Sequence, residues 1–256
     1  MRDYHVVSFS GGKDSTAMLL RMLELKMPVD EILFCDTGVE FPQMYDHLNK
    51  VEKYTDRRIT ILKAEHNFKY FLLDYERKYS TNKLAVHDRG LSFPGVHFRW
   101  CTRRLKTDVI GRHIKKLAKE FNVCQYVGIA ADEQHRIKDL NYPLIDWGWT
   151  EADALAYCKE KGFDWGGLYD MFDRVSCWCC PFQSLKAVRA LYDNFPNLWA
   201  ELKDWQTRTY LKFKPKFSVE ELEIRFALED EFIAKGLPIG RNRAFQKELK
   251  NRLGRD

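Results

Sequence analysis

The stretch Val6-Val7-Ser8-Phe9-Ser10-Gly11-Gly12-Lys13-Asp14-Ser15-Thr16-Ala17-Met18-Leu19-Leu20 decides how this chain folds. Val6–Phe9 is a short apolar run and reads as a buried strand, while Thr16–Leu23 has the pattern of a helix. Two glycines sit at the turn between them. Paired glycines let successive backbone N–H groups converge on one point, and the helix N-terminus behind them adds partial positive charge. The turn is therefore a candidate phosphate cradle. Gly11 and Gly12 supply the backbone, Ser10 and Ser15 hydroxyl donors, and Lys13 a full charge. Asp14 has two readings, a helper for Mg²⁺ at phosphate oxygens or a cap for the helix that starts there. The loop is not the Walker pattern, which is longer and closes on Gly-Lys-Ser/Thr.

Outward from this loop, strands and helices alternate. Glu31–Cys35, Ile59–Leu62 and Gln125–Ile129 read as strands, and Tyr45–Tyr54 and Asp108–Phe121 as helices. Such alternation predicts an α/β fold, a doubly wound and mainly parallel sheet covered on both faces. Ligands of these sheets bind beyond the carboxyl ends of the strands. Asp36-Thr37-Gly38 follows the second strand and Gly128 lies near the end of the fourth, where that rule looks for contacts. From about Phe182 the pattern turns helical and rich in Trp, Phe, Lys and Glu. The expected organisation is a nucleotide-binding domain over 1–182 with a helical C-terminal region, 183–256, packed on it. Thr81–Arg99, with Gly90, Pro94 and Gly95, is expected to be a long loop of the kind that forms lids and binding loops.

The chain has 256 residues, a net charge of +5 and seven cysteines. Its apolar and charged fractions are those of a folded protein, and no apolar run approaches the ~20 residues that cross a bilayer. Membrane partners are not expected. The N-terminal residues lack the pattern of a signal peptide, so the expected location is the cytoplasm. There, thiols stay reduced, and Cys177-Trp178-Cys179-Cys180 reads as a metal or redox cluster rather than a disulfide framework. Zinc and iron–sulfur clusters want about four such ligands. Cys35, Cys124 and Cys158 fall in apolar segments and read as buried structural thiols. Eight Lys or Arg crowd Arg99–Lys119 against Asp108 alone, and seven crowd Lys235–Asp256 against two acids. Both stretches suit anionic ligands, phosphates or a nucleic-acid backbone, although a solvated helix face explains the second as well. Trp199, Trp205, Tyr210, Phe213 and Phe217 could stack bases, but aromatics at helical spacing more often form core.

Ser10–Ser15 resembles the SGGxDS signature of the PP-loop, or adenine nucleotide alpha-hydrolase-like, superfamily. Four further segments resemble its phosphoadenosine phosphosulfate (PAPS) reductase branch, in the branch's order. They are Asp36-Thr37-Gly38-Val39-Glu40-Phe41-Pro42, Cys101-Thr102-Arg103-Arg104-Leu105-Lys106, Gly128-Ile129-Ala130-Ala131-Asp132-Glu133 with Arg136, and Tyr142–Trp147 followed by Thr150-Glu151. The resemblance covers about residues 5–182. It implies an adenine nucleotide (ATP, PAPS or adenosine phosphosulfate, APS) at Ser8, Ser10, Gly11, Gly12, Lys13, Asp14, Ser15, Asp36, Thr37, Gly38, Gly128, Glu133 and Arg136. Mg²⁺ accompanies the ligand if it is ATP. The resemblance also places Cys101 near the later cysteines, so that Cys101, Cys177, Cys179 and Cys180 would hold a 4Fe-4S cluster or zinc. Lys13, Asp14 and Cys180 are the expected catalytic residues.

One departure matters. The family's reductases carry a nucleophilic cysteine near the C-terminus, and here no cysteine follows Cys180. Relatives without it resemble ATP-using sulfur-transfer enzymes that adenylate a target, some acting on nucleic acid. The expected activity is adenylation and sulfur transfer, with a nucleic-acid acceptor and a sulfur- or electron-donor protein as partners. The alternatives are sulfonucleotide reduction to sulfite and a non-catalytic nucleotide- or nucleic-acid-binding module.

Overall fold

The structure, a computed structural model, describes residues 1–76, 89–175 and 177–255. Residues 81–88 of the expected Thr81–Arg99 loop lie outside the described residues.

Four parallel strands form one sheet: β1 (Asp3–Ser8), β2 (Glu31–Asp36), β3 (Ile59–Lys63) and β4 (Asn122–Val127), in the order β3-β2-β1-β4. Helix α1 (Lys13–Glu24) links β1 to β2, α2 (Pro42–Thr55) links β2 to β3, and α3 (Asp108–Leu117) precedes β4. Strand order runs outward from β1 to β3, then jumps back past β1 to β4. Right-handed crossovers therefore place α1 and α2 on one face and α3 on the other, and α3 packs against β2 and β3. In β2, Ile32, Leu33, Phe34 and Cys35 are all buried, as expected for a central strand covered on both sides. β4 starts three residues earlier than its apolar run suggests, because the Asn122 amide donates to the Arg2 carbonyl and extends the ladder toward the chain's start. It ends at Val127, just before Gly128.

The chain forms two compact units. The first comprises Met1–Phe68 and Arg99–Trp178, and the second Lys69–Phe98 and Cys179–Asp256. In the second, α5 (Leu185–Asn194), α6 (Pro196–Thr207), α7 (Val219–Ala234) and α8 (Arg243–Arg252) follow one another, after α4 (Glu151–Glu160) of the first. Ser218 caps α7 in a reciprocal pair with Glu221. Trp199, Trp205 and Phe213 are buried, so these aromatics fill the unit's core and present no face to bases. The Tyr210 hydroxyl donates to the Leu91 carbonyl and the Leu211 amide to the Ser92 hydroxyl, tying the Lys69–Phe98 segment to the helices. Among the described residues, no helix is long and apolar enough to cross a membrane.

His47 of α2 is the chief buried titratable group behind the sheet's first turn. Its Nε2 lies 3.0 Å from the Thr16 hydroxyl, and its ring stacks on Trp165 with centroids 4.5 Å apart. Burial, aided by Lys50, pushes its pKa down to about 3. The unfolded chain takes up this proton near pH 6.5 and the folded chain does not. His47 thus supports folding above that pH, and the support is lost as pH falls toward 3, at up to about 1.4 kcal/mol per pH unit. Denaturant titrations of the wild type and His47→Gln between pH 7 and 4 should show a shallower acid loss in the variant. Equal slopes would contradict this account.

Candidate functional site

The site is built from two loops that leave neighbouring strands β1 and β4 at the point where the strand order reverses. In the first, the Ser15 hydroxyl donates to the Gly12 carbonyl at 3.0 Å and lies 3.0 Å from the Ser10 hydroxyl. The Ser10 amide also donates to the Ser15 oxygen at 3.2 Å, and the Gly12 amide to the Ser10 oxygen at 3.4 Å. The two serines expected to donate to a ligand are thus used largely to hold the loop's shape. Gly11 has φ of +76°, a left-handed conformation suited to glycine, and its carbonyl accepts from the Trp165 indole at 2.7 Å. The Lys13 amide donates to the Tyr169 hydroxyl at 2.8 Å.

Gly128 closes the site from the other side. A Cβ there would stand 2.8 Å from the Ser15 Cα and amide nitrogen, so the β4 loop lies directly against the first turn of α1. A cavity of 130 Å³ opens beside them, lined by Ser10, Gly12, Lys13, Asp14, Gly128, Glu133 and Arg136 among the expected residues. That volume suits a phosphate chain better than a whole nucleotide. Glu40, Met44, Lys106, Glu151, Tyr169, Arg174 and Val175 also line it and were not anticipated. Glu40, Lys106 and Glu151 had a signal, since each lies in one of the family-like segments.

Three of the cavity's four cations, Lys13, Arg136 and Lys106, are paired with carboxylates. Lys13 is buried and its ammonium pairs with Glu151 and, at 3.4 Å, with Asp14. Arg136 pairs with Glu133 at 2.5 Å and Lys106 with Glu40 at 3.7 Å. Burial pushes the Asp14 carboxyl up to about 6; Lys13 opposes the rise, and Glu151 and Glu133 add to it.

Other expected residues lie elsewhere. The Ser8 hydroxyl accepts from Gln125 at 2.7 Å, bridging β1 and β4. Asp36 accepts from Tyr45 and the Gly38 amide and pairs with Lys63 at 3.0 Å. It lines a separate cavity with Phe34, Leu48 and Ile61. Thr37 donates to Glu40 at 2.9 Å and lies 3.7 Å from the Cys177 thiol, so it braces the cavity wall.

The four expected metal ligands are divided between the units. Cys101 and Cys177 belong to the first, Cys179 and Cys180 to the second. Burial alone would draw the Lys106 ammonium's pKa down, but Cys177, Glu40, Cys35 and Cys101 face it and hold it above the usual lysine value. Two of the four expected ligands, Cys101 and Cys177, therefore face the Lys106 ammonium. In the second unit, Cys179 is buried and Cys180 half-buried. Cys35 and Cys158 are buried, as expected of structural thiols, and burial pushes the Cys35 thiol up to about 11. Cys124 is only half-buried.

The model of the phosphoadenosine phosphosulfate reductase domain matches residues 4–183. The chain belongs to this family. All residues lining the cavity beside Gly128 fall within that span. An uncharacterized protein of Methanocaldococcus jannaschii is 28% identical over 207 residues, covering 76% of this chain and 39% of the relative. A second from the same organism is 27% identical over 215 residues, again 76% of this chain and 46% of the relative. The chain thus spans less than half the length of these two curated relatives. An uncharacterized nin region protein of Escherichia phage lambda is 27% identical over 175 residues, 62% of this chain and 60% of that protein. A solved PAPS reductase from Candida auris, a phosphate complex, superposes with a TM-score of 0.47 at 20% identity, covering 70% of this chain and 82% of that one.

Asp14 yields a sign-definite expectation for this family member. Its folded pKa lies above the ordinary 3.8, so ionising it opposes folding. Its contribution to stability falls as pH rises from about 4 to about 6 and stays low above. Asp14→Asn should therefore be more stable than wild type at pH 7, by about 1–2 kcal/mol, and the gain should vanish near pH 4. Chemical denaturation at both pH values checks this, and a variant less stable at pH 7 would overturn it.

Proposed function

We propose that this protein is an enzyme that binds ATP with a divalent cation by its phosphates, between the loops after β1 and β4, and adenylates an acceptor for sulfur transfer. The observation that carries this reading is the pairing of Lys13, Arg136 and Lys106 with Glu151, Glu133 and Glu40 around one cavity. A polyphosphate that takes over these cations leaves carboxylates beside its own negative charge. Mg²⁺ resolves that conflict, because it favours carboxylate and phosphate oxygens together.

In the proposed reaction an acceptor oxygen attacks the α-phosphorus, and the bond to the bridging oxygen breaks with its electron pair leaving on pyrophosphate. Lys13 and the loop amides stabilise that charge, while Asp14 helps hold the cation. A sulfur nucleophile from a donor protein then displaces AMP from the acceptor. Cys101, Cys177, Cys179 and Cys180 are the residues that would hold a 4Fe-4S cluster or zinc, which would supply sulfur-binding chemistry, with Cys180 in the catalytic role. The basic stretch Arg99–Lys119 supports a nucleic-acid acceptor. The reading places the protein in the cytoplasm.

A second reading, sulfonucleotide reduction, draws on Cys177. Its thiol lies 3.8 Å from a Glu40 oxygen, and Glu40 lines the phosphate cavity. A thiolate there would attack the sulfur of a phosphosulfate, forming an S–S bond as the nucleotide phosphate departs with the S–O electron pair. A dithiol donor protein would then release sulfite.

Thermal shifts of anaerobically purified protein separate the readings, since a ligand specific for the folded state raises the melting temperature. ATP with Mg²⁺ is expected to stabilise the wild type more than either alone, and Lys13→Ala to lose most of the effect. Stabilisation by PAPS or APS but not by ATP would replace the first reading with the second. No stabilisation by any of them would end both.

A further inference from the structure

Strands β1 and β4 pair in parallel with Asp3 opposite Asn122, His5 opposite Cys124 and Val7 opposite Tyr126. Residues two apart on a strand share a face, so Asp3, His5, Asn122, Cys124 and Tyr126 project from one side of the sheet. Asp3, His5, Asn122 and Cys124 stand in the first halves of their strands and Tyr126 near the end of β4, whereas the phosphate cavity lies beyond the strands' ends. The nearest donor atoms of Asp3, His5 and Cys124 all fall within 4.8 Å of one another. The other two residues hold these side chains in place. The Tyr126 hydroxyl lies 2.9 Å from His5 Nδ1, with the two rings stacked at 5.9 Å, and the Asn122 amide donates to Asp3 Oδ1 at 2.6 Å. Nε2 of His5 and Oδ2 of Asp3 are the atoms left for an ion.

We propose that Asp3, His5 and Cys124 form a divalent transition-metal site, of zinc-like preference, that staples β4 to β1 at the end of the sheet remote from the nucleotide cavity. One imidazole, one thiolate and one carboxylate are a ligand set of intermediate softness, which suits zinc over magnesium or calcium. Bond lengths of about 2.0–2.3 Å to zinc keep tetrahedral ligands roughly 3.4–3.8 Å apart. The three donors therefore need to close by up to about 1.4 Å, which side-chain rotation at exposed Asp3 and half-buried His5 and Cys124 can supply. Three protein ligands leave a fourth position for water. The histidine held by a hydroxyl through its other nitrogen is the outer-sphere arrangement that fixes ring orientation at metal sites.

The test uses the full chain without a histidine tag, reduced and stripped of metal, with Zn²⁺ and Co²⁺ as probes. Cys101, Cys177, Cys179 and Cys180 bind metal on their own account, so the readout is the difference between variants. Zinc content after equilibrium dialysis should drop by one equivalent in His5→Ala and in Cys124→Ser, with the nucleotide-induced thermal shift retained. The Cys124→Ser variant should also lose one component of the thiolate-to-cobalt charge-transfer band. Tyr126→Phe keeps the ring stack and removes only the hydroxyl, and it should weaken zinc binding about 10–100-fold. Asp3→Asn, at an exposed position, guards against misfolding of the other variants and should also weaken binding. Unchanged zinc content and affinity in His5→Ala and Asp3→Asn would overturn the proposal, as would a cobalt spectrum indifferent to Cys124.

Discussion

The absence of room for a single carbon atom at residue 128 governs the geometry of this site. The backbone of Gly128 lies against Ser15 and the end of Asp14 at a distance that admits no side chain. The loop after β4 is thereby pressed onto the first turn of α1, and the amides and charges of both loops face one cavity. Without that contact, Glu133 and Arg136, which follow Gly128, would have no fixed relation to Lys13 and Asp14. The parallel pairing of β1 with β4 carries the constraint back into the sheet, because the two strands run in register from Asp3–Asn122 to Ser8–Val127.

The same close fit explains why the loop's serines turn inward. A short glycine turn with a left-handed residue has several accessible shapes, and the Ser10–Ser15–Gly12 hydrogen bonds select one. A hydroxyl bonded in this way is a poor ligand donor but a good splint. Under the proposed function, ligand donation falls to the Lys13 side chain and to the loop amides not already bonded to Ser10, Ser15 or Tyr169, whose orientation the splint preserves. Preorganised dipoles of this kind need no rearrangement when charge develops on a leaving group.

How much of this was legible in the sequence follows from the distance along the chain between partners. Ser10–Ser15 and Asp36–Gly38 are contiguous and follow apolar strands, so periodicity and turn chemistry locate them. The sheet follows from the same alternation, and only the start of β4 slips, because Asn122 joins the ladder through a backbone bond that carries no side-chain pattern. Glu151 is different. It meets Lys13 across 138 residues, and its place opposite that ammonium depends on how α4 packs on α1. Lys106 and Glu40 are likewise brought together by folding alone. Both lie in family-like segments, but nothing in the local sequence shows that they pair with each other. The joining of Lys69–Phe98 to the C-terminal helices rests on bonds such as Leu211 to Ser92, 119 residues apart, which no local pattern encodes.

The pairing of charges in the cavity has a consequence for any anion that enters. A site lined only by cations would attract phosphate from afar and pay a large repulsion when empty. Here three of the lining cations, Lys13, Arg136 and Lys106, are each paired with a carboxylate, while Arg174 lines the cavity without such a pair among the described residues. An entering phosphate must displace Glu151 from Lys13, Glu133 from Arg136 or Glu40 from Lys106, and the displaced carboxylate gains no compensation from the anion itself. Asp14, already driven upward toward neutrality by burial, cannot absorb a further negative charge without taking up a proton or meeting a cation. At these three pairs an anion that arrives alone is thus disfavoured, and one that arrives with a divalent cation satisfies both halves of each broken pair. Under the proposed function, selectivity for a metal-bound polyphosphate over a bare anion resides in the carboxylates, which repel the wrong ligand, as much as in the lysine and arginine that hold the right one.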